Sequence, residues 1–142
     1  MEKYYTPELE EFYVGFEFEY SHNKINYKKQ IYDGSQVLKS KSYYDDHGCE
    51  YDAVEDDLKH IRVKRLDRED IESLGWVNGE IYGMGCYLRP DKNGKAIIDG
   101  YQLVFHSWEY IEIYQESTSD IKFSGTIKNK SELKKVLKML GI

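Results

Sequence analysis

Residues 101–127 read YQLVFHSWEYIEIYQESTSDIKFSGTI, and this stretch decides the fold class. In its middle, isoleucines alternate with polar and aromatic residues, which is the pattern of a strand with one buried face. We predict strands over residues 101–106 and 109–115, or one long bent strand over both, and a further strand over residues 121–127. The connections are too short for crossover helices, so the strands are expected to be antiparallel.

Two earlier stretches show the same alternation. Residues 12–20 and residues 60–66 place apolar and polar side chains on opposite faces, and both are predicted as half-buried strands. Directly after the second stretch, Asp67 and Asp70 have the spacing of a capping box, which predicts a short helix over residues 68–74.

The remaining strand signals are weaker. Residues 27–32 and 36–40 are predicted as short strands. A strand over residues 80–88 is interrupted by Gly83 and Gly85, which indicate a bulge or a close approach of two backbones.

The C-terminus carries a helix signal. Ser131 is predicted to cap an amphipathic helix that ends at Gly141. Its apolar residues lie at i, i+3, i+4 and i+7: Leu133, Val136, Leu137 and Leu140. The fold class is therefore α+β, a twisted, mostly antiparallel sheet, open or barrel-like, with a short middle helix and a C-terminal amphipathic helix. The length of 142 residues fits a single domain over residues 1–142.

Composition narrows the cellular setting. Hydrophobic residues make up 40% of the chain, and no apolar run approaches the ~18 residues that a membrane span needs. The first residues, MEKYY, lack the basic and then apolar pattern of a signal peptide. We expect a soluble, cytoplasmic protein without a membrane partner.

Charge is distributed unevenly along the chain. The net charge is −6, and residues 1–57 hold six lysines against 14 acidic residues. Residues 45–57 contain seven carboxylates, which would repel a nucleic-acid backbone and argue against generic duplex DNA binding. This stretch is expected to be a solvated loop, with a partner surface or a DNA-mimicking patch as the alternatives.

The two cysteines, Cys49 and Cys86, do not have the spacing of a zinc site, and free thiols are expected. Nor do the acidic residues follow the pattern of a calcium-binding loop. We predict no metal and no cofactor.

An aromatic row is the first candidate for binding. The chain has 14 tyrosines, and the predicted strand at 106–114 presents several polar and aromatic side chains on one face: His106, Trp108, Tyr110, Glu112 and Tyr114. Such a row can stack a nucleobase. It can equally stabilise the sheet through cross-strand pairs, or form a tyrosine-rich face that joins copies of the chain into a homo-oligomer.

A basic row is the second candidate. His60, Arg62 and Lys64 share one face of their strand and could hold one or two phosphates, or could simply face solvent. Trp76 could be a stacking platform or an anchor for the short helix. No catalytic residue is predicted, because paired Glu17 and Glu19 are ordinary on a strand surface and no nucleophile or phosphate-loop motif is present.

Three stretches together carry a resemblance: residues 4–17 (YYTPELEEFYVGFE), 62–76 (RVKRLDREDIESLGW) and 125–142 (GTIKNKSELKKVLKMLGI). They resemble a group of small proteins encoded by phages and prophages of gut Bacteroidetes. The resemblance implies a small accessory phage protein that works in the host cell during infection. It brings no catalytic residue with it.

Three function classes follow, in order of preference. The first is a host-defence antagonist that sequesters a small nucleotide-derived immune signal, with Trp108, Tyr110 or Tyr114 stacking on it and Arg62 and Lys64 holding its phosphates. The second is a protein-interaction or structural module without a small-molecule ligand. The third is a phosphodiesterase that acts on a cyclic nucleotide signal.

Overall fold

The computed structural model describes nine segments of the chain. Two of them, residues 42–44 and 50–52, are described by their backbone only. The segments are residues 2–21, 23–34, 42–44, 50–52, 58–79, 85–89, 100–106, 109–115 and 118–142. The chain divides into two compact units, Met1–Arg65 and Leu66–Ile142. Each unit has a hydrophobic core of its own. The single domain expected over residues 1–142 remains a prediction.

The first unit contains a four-stranded antiparallel sheet and a two-stranded one. The strands are β1 (Tyr4–Tyr5), β2 (Glu17–Tyr20), β3 (Lys28–Ile31), β4 (Ser42–Tyr44), β5 (Glu50–Asp52) and β6 (Ile61–Lys64). The larger sheet has the order β1-β6-β2-β3, and β4 pairs with β5. A single 3₁₀ turn, Leu9–Glu11, follows β1.

Strand alternation sorts the side chains of this sheet. In β6, Ile61 and Val63 are buried while Arg62 and Lys64 are half-buried on the other face, as predicted. The buried pair packs with Phe16 and Phe18 to form the core of the first unit. The opposite face of the sheet therefore carries the polar side chains.

The strand predicted over residues 12–20 is shorter in the structure and begins at Glu17. Gly15 has a left-handed φ of +96°, and the Phe16 N–H donates to the carbonyl of Tyr13 at 2.9 Å, so the chain turns there. Val14, which the alternation places inward, is 72% exposed as a result.

The acidic stretch at 45–57 is not simply a loop, because its residues Glu50–Asp52 form β5 against β4. The strand predicted over residues 27–32 is confirmed as β3. The strand predicted over residues 36–40 lies outside the described residues.

The second unit is an antiparallel meander with two helices. Its elements are α1 (Arg68–Ser73), β7 (Val77–Asn78), β8 (Cys86–Leu88), β9 (Tyr101–Phe105), β10 (Tyr110–Gln115), β11 (Asp120–Thr126) and α2 (Lys130–Leu140). The sheet order is β11-β10-β9-β8-β7, and every pairing in it is antiparallel. Leu103, Ile111 and Ile113 pack in one core with Ile71 of α1 and Leu133 of α2. The predicted α+β class is confirmed, although the strands lie in separate sheets rather than in one.

The capping box of α1 is confirmed. The Asp70 N–H donates to Asp67 Oδ1 at 3.0 Å, and the Asp67 N–H donates to Asp70 Oδ2 at 3.4 Å. The helix ends at Ser73, and Gly75 takes the left-handed conformation with φ +88°.

The start of α2 corrects the prediction. The cap is Asn129, whose Oδ1 accepts the Glu132 N–H at 3.0 Å, whereas Ser131 lies inside the first turn and is buried. Asparagine and serine are both good caps, so the sequence alone did not separate them. Gly141 ends the helix with φ +73°, as predicted.

Gly85 brings two backbones together. A Cβ placed on it would overlap the carbonyl oxygen of Phe105 in β9, and its φ of +74° also favours glycine. The close approach predicted at this position is confirmed, whereas Gly83 lies outside the described residues. No helix in the described segments is long and apolar enough to cross a membrane.

Candidate ligand-binding site

Arg62 lies between two tyrosine rings on the polar face of the first unit's sheet. Its Cζ atom is 3.8 Å from the ring centroid of Tyr4 and 3.8 Å from that of Tyr27. Tyr4 comes from β1, on one side of β6, and Tyr27 directly precedes β3, on the other side. The guanidinium therefore packs closely against two aromatic rings.

Glu19 also restricts the orientation of the Arg62 side chain. It stands directly opposite Arg62 in the β2–β6 register, and Arg62 Nε donates to Glu19 Oε2 at 2.6 Å. The two side chains are 32% and 18% exposed, so the pair is partly shielded from water. Within the described part of the chain, the terminal nitrogens of Arg62 have no hydrogen-bond partner from the protein.

Other charges share this face. Lys64 lies two residues along β6 and is opposite Tyr4, while Lys29 is opposite Glu19 in β3. Glu17, two residues before Glu19, also belongs to this face by strand alternation. Such alternating charges stabilise a sheet surface in their own right. Arg62 differs from these other charges. Its guanidinium is held by the two tyrosine rings and Glu19, while its terminal nitrogens have no hydrogen-bond partner in the described part of the chain.

His60 stands at the start of the same row but is turned toward the backbone. Its Nδ1 donates to the carbonyl of Ser21 at 2.9 Å, and its ring lies 6.3 Å from that of Tyr20. Because a carbonyl can only accept, the neutral imidazole carries its proton on Nδ1. The His60 side chain is therefore bonded to the backbone directly after the last residue of β2.

The second unit brings two of the predicted side chains, His106 and Tyr114, into contact with the carboxylate of Glu112. Glu112 Oε2 accepts a hydrogen bond from the Tyr114 hydroxyl at 2.7 Å and lies 2.8 Å from His106 Nε2. The bond from Tyr114, and then that from His106, lower the pKa of Glu112 below its ordinary value. The same bond to Glu112 raises the pKa of Tyr114.

The other aromatic residues of the row differ in accessibility. Tyr110 is 38% exposed, its ring lies 5.6 Å from that of His106, and its hydroxyl is hydrogen-bonded to the Ser124 hydroxyl. Trp108 lies outside the described residues. Because the described members contact one another, this arrangement favours cross-strand stabilisation over an open stacking platform.

Trp76 is only 2% exposed and packs in the core of the second unit. Its ring is therefore not available for stacking on a ligand, and its position favours the anchoring role. Its inclusion among ligand-binding residues is corrected accordingly.

The predicted site residues thus divide between the two units. His60, Arg62 and Lys64 belong to the first, and Trp76, His106, Tyr110 and Tyr114 belong to the second. The rings in contact with Arg62 are Tyr4 and Tyr27, which are not among the predicted site residues. Only the pairing of β1 with β6 brings Tyr4 there, and residue spacing does not reveal that pairing.

In the described segments, no group of three or more His, Cys, Asp or Glu side chains is placed to hold a metal ion. The buried Cys86 thiol accepts a hydrogen bond from Gln102 Nε2 at 2.8 Å, whereas Cys49 lies outside the described residues.

Comparison of the chain with protein-family models, curated proteins and solved structures finds no match. The resemblance to phage-encoded proteins therefore remains a prediction.

Proposed function

We propose that this protein binds a small phosphate-bearing nucleotide at Arg62 and sequesters it without turnover. The observation that carries this proposal is the placement of the guanidinium between Tyr4 and Tyr27 with its Nε bound to Glu19. These contacts leave one edge, formed by the two terminal nitrogens, for a ligand. That edge presents parallel N–H donors, which match the spacing of two oxygens on one phosphate.

Preorganisation supports a binding role. An exposed arginine loses side-chain entropy when it captures an anion, typically about 0.5–1.5 kcal/mol for an immobilised side chain. In this protein the two rings and Glu19 already restrict Arg62 before any ligand arrives. More of the interaction energy is then available for binding.

The nature of the ligand follows from what surrounds the guanidinium. Tyr4 and Tyr27 are both half-buried, and each has one ring face against Arg62. Lys3 Nζ also lies 5.8 Å from the centroid of the Tyr4 ring, so cations and aromatic rings lie together here and suit a ligand that carries both a phosphate and a nucleobase. A nucleotide combines these two parts in one molecule. In the phage setting, the role would be that of a cytoplasmic antagonist of a nucleotide immune signal in the infected host cell.

Isothermal titration calorimetry with cyclic di- and trinucleotides and cyclic ADP-ribose isomers tests this proposal. We expect saturable binding at micromolar protein and recovery of intact nucleotide afterwards. Arg62→Lys keeps the charge but removes the planar fork, and should weaken binding at least tenfold. Lys28→Gln removes one positive charge from β3, which does not pair with β6, and is the control for net charge, with less than a twofold effect expected.

Three outcomes would overturn the proposal. They are no heat from folded wild-type protein across the panel, equal weakening by the two variants, and recovery of a hydrolysed product. The last of these would favour a phosphodiesterase. Thermal melting of Arg62→Lys establishes whether a loss of binding reflects the site or unfolding.

A protein-interaction module is the second candidate, on a separate observation. Tyr110 and Ile121 lie on the same outer face of the second unit's sheet, and Ile121 is 57% exposed. They share this face because Ile121 pairs with Tyr114, which lies four residues after Tyr110, toward the other end of β10. Tyrosines that share a face with an exposed apolar residue are typical of interface cores. Light scattering of wild type and Tyr110→Ala tests for a homo-oligomer, and a wild-type monomer at high micromolar concentration would exclude one formed through this face.

A further inference from the structure

We propose that the ligand at Arg62 carries a second phosphate and that Lys3 holds it. This inference rests on the nucleotide binding proposed at Arg62. It narrows the ligand class to nucleotides with two phosphate groups, either joined as a diphosphate or placed apart as in a cyclic dinucleotide. The observation that carries it is that Lys3 and Arg62 approach the same aromatic ring, that of Tyr4.

The backbone of Lys3 is held beside the site by the fold. Lys3 directly precedes β1, and its carbonyl accepts the N–H of Arg65, the residue after β6, at 2.9 Å. From this position its Nζ lies 5.8 Å from the Tyr4 ring centroid. Because an ammonium is attracted to an aromatic ring within about 6 Å, the Lys3 side chain is directed toward the site.

The two cations are close to each other. Lys3 Nζ lies 5.8 Å and Arg62 Cζ lies 3.8 Å from one ring centroid, so the two atoms are no further apart than these two distances together. That limit is shorter than the Debye length of about 10 Å at 0.1 M salt, so salt does not fully screen the repulsion between the two charges. A ligand with two phosphates relieves this repulsion by giving each cation a negative partner.

The two cations differ in how the protein neutralises them. Glu19 accepts a hydrogen bond from Arg62 Nε and offsets part of its charge. Lys3 is exposed, and within the described segments its ammonium forms no ion pair. Residues 1–57 nevertheless hold 14 acidic residues against six lysines, so carboxylates are plentiful in this part of the sequence. The Lys3 ammonium is therefore available to an anion from outside the chain.

The chemistry of the two side chains suits two separate phosphates. The fork of Arg62 matches two oxygens of one phosphate and fixes its orientation. The ammonium of Lys3 is a compact charge with three rotatable donors, so it can hold a phosphate that approaches from several directions. A nucleoside monophosphate would occupy only the first of these positions.

Isothermal titration calorimetry tests the proposal with AMP against ADP, GMP against GDP, and cyclic di-AMP and cyclic di-GMP. Wild type should bind at least one two-phosphate nucleotide at least tenfold more tightly than the monophosphate of the same base. Lys3→Gln should reduce this preference to less than threefold and change the monophosphate affinity less than twofold. Lys3→Arg keeps the positive charge and should retain the preference. Lys28→Gln removes an exposed lysine from β3 and is the control for net charge, with every affinity expected within twofold of wild type.

The outcomes distinguish this inference from the proposal on which it rests. Equal affinity for one-phosphate and two-phosphate nucleotides, or an equal loss of both in Lys3→Gln, would overturn the second phosphate position and leave nucleotide binding at Arg62 standing. The same loss of preference in Lys28→Gln would show that net charge, and not the position of Lys3, sets it. No heat from folded wild type with any of these nucleotides would overturn both proposals.

Discussion

The carboxylate of Glu19 and the guanidinium of Arg62 face each other directly across β2 and β6, with 2.6 Å between Oε2 and Nε. This pairing has two opposite consequences. It holds the arginine side chain in place, and it also offsets part of the positive charge that would attract a phosphate.

Replacing Glu19 separates these consequences. We expect Glu19→Gln to lower the free energy of unfolding by about 1 kcal/mol or less, because the pair is only partly buried. If Arg62 binds phosphate, the same variant should raise nucleotide affinity severalfold. Urea unfolding and calorimetry measure the two effects. Glu17→Gln, on the same strand face, is the control; an equal gain in affinity there would mean that only net charge matters.

The capping box of α1 makes a measurable contribution to stability. Asp67→Ala should cost about 1 kcal/mol, because the Asp70 N–H loses its acceptor at the helix start. Glu69→Ala, at an exposed position of the first turn, leaves the Asp67 cap in place and should cost less. Equal shifts of the two urea midpoints would show that the Asp67 side chain is not acting as a cap.

Glu112 and Tyr114 predict a dependence on pH at both ends of the scale. Because the pKa of Glu112 is lowered in the folded protein, its contribution to stability is present above its unfolded pKa and is lost as pH falls through the folded pKa. Because the pKa of Tyr114 is raised, its contribution is present below the unfolded pKa and is lost as pH rises through the folded pKa.

Carbon-detected NMR titration of Glu112 measures the first of these effects. In Tyr114→Phe the strongest bond to Glu112 is gone, so the pKa of Glu112 should move up toward its ordinary value. His106→Gln should move it by a smaller amount. An unchanged Glu112 titration in Tyr114→Phe would show that the hydroxyl does not reach the carboxylate in solution.

Two glycines with left-handed φ separate backbone strain from steric overlap. Gly75→Ala meets no atom within 4 Å, so only the unfavourable φ applies, at roughly 1–2 kcal/mol. Gly85→Ala carries the same strain and also drives its Cβ into the Phe105 carbonyl, so it should cost clearly more. Urea unfolding of the two variants makes the comparison. Equal losses would show that β8 and β9 can separate locally without cost.

The sequence predicted most of the second unit because its signals are local. The alternation in residues 109–115, the Asp67–Asp70 spacing and Gly141 each depend on neighbours a few residues away. The α2 cap was placed two residues late because Asn129 and Ser131 both fit.

The candidate site was predicted less completely, because it depends on contacts between distant parts of the chain. Strand alternation identified Arg62. The three residues that hold it are Tyr4 in β1, Glu19 in β2 and Tyr27 just before β3, and alternation within β6 does not reveal them. Trp76 was a candidate binding residue in the sequence but is buried in the core, because aromatic character does not distinguish a core residue from a binding residue.

The burial of Trp76 has a practical consequence. Its indole N–H lies in the core of the second unit with no hydrogen-bond partner in the described segments, so the excited ring has no polar neighbour on that nitrogen to relax it. In a Trp108→Phe background, the emission maximum of Trp76 should be blue-shifted and its fluorescence resistant to iodide quenching. The maximum should shift to longer wavelength only when that core unfolds. One native chromophore then reports unfolding of the second unit optically.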